Sequence, residues 1–136
     1  AHRRSVTQTD MNVRLVSKEE VIKQSDIISL HMPLIKGEGP AVGEKEIEIM
    51  KDGVIIINCA RGGVVSEKAL LEGLNSGKVA AAGIDVFENE PPTEAQAALI
   101  NHPRVSVTPH IGASTVEAQN RVGKEIAQKV IDVLKK

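Results

Sequence analysis

The chain has 136 residues, 41% of them hydrophobic and 26% charged, with a formal net charge of −1, the size and make-up of one ordinary globular domain. This balance excludes a general attraction to nucleic acid or to an anionic membrane surface; one cysteine excludes an internal disulfide and fits a cytoplasmic setting; and a single aromatic residue, Phe87, excludes a stacking platform for single-stranded nucleic acid. No apolar stretch approaches the roughly 20 residues needed to span a bilayer, and Ala1-His2-Arg3-Arg4 has no apolar region behind it, so it does not read as a signal peptide.

In chain order, Asn12 to Val16 reads as a short strand. Ser17-Lys18-Glu19-Glu20 fits a capping box, opening a helix to about Lys23. Asp26 to Leu30 is an apolar strand ending in His31-Met32-Pro33, and residues 34 to 42, with two glycines and Pro40, read as a loop. Glu44 to Met50 is a short helix, followed by a strand over 53 to 58. Ser66 is a good N-cap for a helix from Glu67 to about Asn75, which Gly77 can terminate.

A strand from Val79 to Val86 comes next. Pro91 and Pro92 make 87 to 93 a loop, and Thr93 caps a short helix to about Ile100. Arg104 to Val107 is the last strand. Ser114-Thr115-Val116-Glu117 reads as a second capping box, opening a long helix to about Leu134 with apolar positions at helical spacing. Strands alternating with helices imply right-handed crossovers and an α/β fold, half of a doubly wound parallel sheet, in a single domain over 1–136. Parallel strands covered on both faces are apolar throughout, as Val54-Ile55-Ile56-Ile57 is.

Three of these strands deliver polar chemistry at their carboxyl ends, the rim where open α/β sheets bind ligands. The first leads into Asn58-Cys59-Ala60-Arg61-Gly62-Gly63, the second into Asp85 and Glu90, and the third into Thr108-Pro109-His110-Ile111-Gly112. An arginine at such a turn can grip a carboxylate with two parallel bonds. A histidine there can serve as acid and base, and a glutamate can orient its ring. Read individually, Arg61 is a solvated charge, Glu90 a loop carboxylate, His110 a helix cap and Asp85 a strand-end cap; their convergence on one rim favours chemistry. Glu88 reads as surface, and His2 and His102 receive no role. The four histidines lack ligand spacing, so no metal site is expected. An acid pair at Asp85 and Glu90 suits a glycosidase less well than a dehydrogenase, given the arginine and histidine beside it.

These motifs resemble the D-isomer-specific 2-hydroxyacid dehydrogenases. They are Ser29-Leu30-His31-Met32-Pro33, Asn58 to Val65, Gly83 to Pro91 and Thr108 to Thr115, and the likeness covers about residues 12 to 136. The resemblance implies hydride transfer between NAD and a small 2-hydroxy or 2-oxo acid. It is strongest to members acting on 3-phosphoglycerate, which implies a place in serine biosynthesis. By the same resemblance Arg61, Glu90 and His110 are catalytic. Asp85 holds the nicotinamide carboxamide, His31 and Pro33 line the adenosine side, and Cys59, Ala60, Arg61, His110 and Gly112 also border the cofactor. Cys59 reads otherwise as a small apolar residue packing the turn.

The family carries a G-x-G-x-x-G turn that cradles the cofactor pyrophosphate on a helix N-terminus. These 136 residues contain none; Gly37-Glu38-Gly39 lacks the third glycine and opens no helix. The expectation is a partial Rossmann-like domain, without the first βαβ unit or a substrate domain, inactive alone and prone to homo-oligomerise through its unpaired sheet edge or its long helix. The alternatives are a non-catalytic fragment and a corepressor-like binding module on the same fold.

Overall fold

The computed structural model describes residues 1–2 and 12–135; Arg3 and Arg4 lie outside them. The elements run α1 (Lys18–Gln24), β1 (Ile27–Leu30), α2 (Glu44–Ile49), β2 (Val54–Asn58), α3 (Glu67–Ser76), β3 (Val79–Ile84), a 3₁₀ turn over Glu94–Gln96 leading into α4 (Ala97–Ile100), β4 (Val105–Val107) and α5 (Val116–Leu134).

Local chemistry sets most of these boundaries. Ser17 Oγ accepts the Glu20 amide at 3.1 Å, but the Glu20 carboxylate turns to Arg14 Nη2 at 2.8 Å, so half of the expected capping box forms. Ser66 Oγ accepts from Ala69 N, and Gly77 closes α3 in the left-handed region at φ 83°, where a residue without a Cβ pays no steric penalty. The second capping box is corrected. Thr115 rather than Ser114 is the N-cap of α5, and its hydroxyl accepts from Ala118 N. That places Ala118 at the third helical position and leaves Glu117 one residue short of it.

The strand expected over 12–16 is not regular. The segment is tied to the first residue by Val16 N to Ala1 O and Ala1 N to Arg14 O, both 2.8 Å. The strand expected over 79–86 ends at Ile84 rather than Val86, because Val86 and Phe87 turn into the core.

The four strands form one parallel sheet in the order β1-β2-β3-β4. Sequential order with right-handed crossovers puts the connecting helices on one face. There α1 lies beside α2, α2 beside α3 and α3 beside α4. The core under them is aliphatic, built on Ile28, Leu30, Val54, Ile56, Leu70, Leu74, Val79 and Ile84. The register between β2 and β3 shifts once, from Val54↔Val79 to Ile55↔Ala81, so Ala80 is passed over. On the opposite face Ile27, Ile55 and Ala81 stand in a row across three strands, and Ile27 is 59% exposed. The helix α5 adds little cover within the chain, since Ala118 is its one buried residue among those described. Among the described residues no helix is long and apolar enough to cross a membrane.

Candidate active site

The parallel register sets Leu30, Asn58, Ile84 and Val107 side by side. All four strands therefore stop on one line. His31, Cys59, Asp85 and Thr108, the residues that follow, open four neighbouring loops along one edge.

At the end of β2 a single buried side chain builds the arginine turn. Asn58 Oδ1 accepts from Ala60 N and its Nδ2 donates to Arg61 O, each at 3.1 Å. Buried polar groups are retained when fully bonded, and this amide satisfies both ends of the turn it sits under. Arg61 itself is exposed. One Nη1 hydrogen bonds Ala60 O at 2.6 Å, and its other donors make no hydrogen bond among the described residues.

Glycine is required at 62 for a reason a turn does not supply: a Cβ there would stand 1.8 Å from Phe87 O and 2.8 Å from Glu88 N. The arginine turn is thus pressed against the backbone that leaves β3. Gly63 is the turn's left-handed residue, at φ 77°.

Two carboxylates from the loop after β3 converge on one histidine. Asp85 Oδ1 accepts from His110 N at 3.0 Å and also from the Thr108 hydroxyl. Glu90 accepts from Phe87 N at 3.2 Å through Oε1 and contacts His110 Nδ1 at 2.9 Å through Oε2. An ionised carboxylate only accepts, so Nδ1 carries the proton in this pair and Nε2 is the nitrogen left for a reactant. His110 takes φ 52°, a conformation costly to a side-chain-bearing residue.

The pair is reachable, with side chains 43% and 42% exposed. The His110 contact, then the Phe87 amide, and also the Arg61 charge hold the Glu90 carboxyl below its ordinary value. The Thr108 hydroxyl and then the His110 amide do the same for Asp85. The close approach of Gly62 to Phe87 and Glu88 sets the Arg61 turn beside the loop that carries Glu90.

Of the other residues read from the sequence, Cys59 is an exposed free thiol at the end of β2. The methyl of Ala60 lies in the core, and its N–H and carbonyl are both used within the turn. His31 Nε2 pairs with Ser29 Oγ at 2.8 Å, back along its own strand and apart from the Glu90–His110 pair. Pro33 is exposed, and Gly112 has open space where a Cβ would be.

Four residues that hold the site carried no assigned role in the sequence: Asn58, Thr108, Glu67 and Gln96. A polar residue closing an apolar strand is a readable signal for Asn58 and Thr108. Glu67 and Gln96, 29 positions apart, give none. Among the described residues no group of three or more His, Cys, Asp or Glu is placed to hold a metal.

Residues 1–112 match the family model described as D-isomer specific 2-hydroxyacid dehydrogenase, NAD binding domain. The chain is similar to a hydroxypyruvate reductase of Thermotoga maritima, 51% identical over 128 residues, which are 93% of this chain and 42% of that protein. It is also similar to a D-3-phosphoglycerate dehydrogenase of Bacillus subtilis, 47% identical over 117 residues, 86% of this chain and 22% of that protein. A crystal structure of a glyoxylate reductase from Paecilomyes thermophila superposes with TM-score 0.80 at 43% identity, covering 90% of this chain and 37% of that one. The chain thus spans less than half the length of each.

Two outcomes follow from this geometry. Gly62→Ala should destabilise the fold by about 1–3 kcal/mol, the cost of overpacking, and shift the backbone NMR signals of Phe87 to Glu90; an alanine variant as stable as the parent in urea would refute the close approach. Asp85 and Glu90, both depressed, add stability that is full above the ordinary carboxylate range and is lost as pH falls through their lowered values. Glu90→Gln should therefore make the acid limb of the stability–pH curve shallower, as followed by unfolding at each pH, and an unchanged limb would count against the pair.

Proposed function

This chain belongs to the D-isomer-specific 2-hydroxyacid dehydrogenases, and from that premise we propose that its rim carries the catalytic groups for hydride transfer between NAD and a small 2-hydroxy acid. The observation that carries the reading is the Glu90–His110 pair at the rim, on a loop whose backbone the Arg61–Gly62 turn closely approaches.

Arg61 takes the substrate carboxylate. Its planar fork suits two parallel bonds to that group, and its charge polarises the neighbouring carbonyl. His110 moves the proton through Nε2, accepting it from the hydroxyl in oxidation and returning it to the oxygen in reduction. Glu90 holds the ring by Nδ1 and stabilises the cation that forms when Nε2 is protonated.

The bound dinucleotide supplies or takes up the hydride. The residues here fit its nicotinamide end: Asp85 offers an acceptor at the rim, and Cys59 lies exposed beside it at the next strand end. His31, Pro33 and Gly112 extend that edge, and Ala60 enters through the backbone of the turn. The pyrophosphate cradle is not among these 136 residues, so turnover draws on groups outside this segment, in a protein we place in the cytoplasm.

Within the substrate class the motifs favour 3-phosphoglycerate, and with it serine biosynthesis; hydroxypyruvate and glyoxylate, named for the similar proteins, are its competitors. In the intact enzyme, His110→Gln should lower kcat by about 10²–10⁴-fold, and Arg61→Lys should chiefly raise KM for the 2-oxo acid. Steady-state NADH assays with the three substrates in parallel rank them, and a His110→Gln enzyme with parental kcat would sink the assignment.

We further propose that the chain self-associates through its exposed apolar surface, of which Ile27 and the Val122, Ile126 and Val130 positions of α5 are part. Light scattering of this chain should give at least a dimer, and a monodisperse monomer at micromolar concentration would exclude it.

A further inference from the structure

The loop that carries Glu90 is braced from within by the bond from Phe87 N to Glu90 Oε1, which lies on the side that precedes Glu90. It contains Pro91 and Pro92, which lack the N–H groups a loop uses to brace itself. One carboxylate outside the loop braces both of its ends. Glu67 stands in the first turn of α3, where a negative charge is favoured by the helix dipole. Its Oε1 accepts from Glu88 N at 2.6 Å, before Glu90, and its Oε2 accepts from Gln96 Nε2 at 3.0 Å, after Glu90. Glu67 N in turn donates a longer bond, 3.4 Å, to Glu88 Oε1.

Gln96 completes the bracket. It is 3% exposed, and its Oε1 accepts from both Thr93 N and Thr93 Oγ1 at 2.9 Å. Its amide donor is directed to Glu67. Replacing either partner so that donor meets donor leaves a buried polar group unpaired, which costs more than the bond itself. Glu67 follows the Arg61 turn in sequence by six residues and is fixed to it through Val64 and Val65, both buried. The same residue therefore ties the loop of Glu90 to the turn of Arg61.

We propose that Glu67, relayed by Gln96, is the positioning residue that sets Glu90 against His110 and at its distance from Arg61. Both of its oxygens are occupied by the loop, so it acts through Glu90 and not on substrate. The inference rests on the functional reading above for its consequence, and on the hydrogen bonds alone for its geometry.

The test is carboxyl-selective NMR titration of Glu90 in this chain, together with amide exchange at Glu88. In the parent, Glu90 should titrate below an ordinary glutamate. In Glu67→Gln, one oxygen becomes a donor facing a donor; the Glu90 midpoint should rise toward the ordinary value and Glu88 exchange should quicken by about tenfold. The double variant Glu67→Gln with Gln96→Glu exchanges the two roles, amide donating to carboxylate, and should restore both readings. The restoring pair also keeps the test decisive if the single variant unfolds.

A depressed Glu90 that is unchanged in a folded Glu67→Gln chain overturns the clamp and leaves the catalytic reading standing. Failure of the double variant to restore either signal also overturns the clamp. An ordinary Glu90 midpoint in the parent overturns the Glu90–His110 pairing, and the clamp with it.

Discussion

Everything at the rim depends on where the strands stop. Parallel strands bring their carboxyl ends to one side of a sheet, but only to within the scatter of their lengths. Here the register brings Leu30, Asn58, Ile84 and Val107 flush, and one irregularity is needed to do it. The shift after Val54 passes over Ala80. Without it Asn58 would pair with Gly83. Asp85 would then lie a residue further out, and because side chains alternate along a strand the faces of β3 would exchange. Ala82 and Ile84 are buried under the helices, so the apolar pattern of the second half of β3 enforces the shift. Core packing and site geometry are in this sense one constraint.

Flush strand ends bring the loops together; the carboxylates then order them. Asp85 and Glu90 follow the same strand, yet they act on different parts of His110. Asp85 takes its backbone N–H, and Glu90 takes its ring. A residue at φ 52° needs such outside support, since its own backbone preference opposes the conformation. Each carboxylate also takes a second donor, Thr108 for Asp85 and Phe87 N for Glu90. Exposed ion pairs alone contribute little. What fixes this histidine is the number of directed bonds and the burial of Val86 and Phe87, which hold the loop that carries both acids.

Much of this was legible in the sequence, and what was not has identifiable physical causes. Alternating strands and helices gave the parallel sheet, and the hydroxyls at 17, 66 and 93 marked helix starts because capping is a local interaction. The second capping box failed by one residue because Ser114 and Thr115 are equivalent candidates and only the loop geometry chooses between them. The end of β3 was read two residues late because Val86 and Phe87 continue the apolar run while leaving the ladder. Arg61, Glu90 and His110 stand out in the sequence because they lie in short motifs, and the structure brings Glu90 and His110 into contact. Gly62 carries no local signal of its role, which is to let Phe87 approach, a contact between segments 25 residues apart. The pairing of Glu67 with Gln96 is invisible for the same reason: neither residue is unusual where it stands, and only the packing of α3 against the β3 loop brings them together.

The uncovered side of the sheet bears on the site as well. Its strands are apolar on both faces, the pattern of strands covered twice, yet among the described residues the helices roof one face. Ile27, Ile55 and Ala81 lead along that face toward Ser29, whose hydroxyl meets His31 at the rim. Any surface laid over the open face to bury those residues would border His31 and the exposed thiol of Cys59. Burial of apolar surface contributes about 25 cal/mol per Å², far more over such a face than the few exposed bonds of the rim.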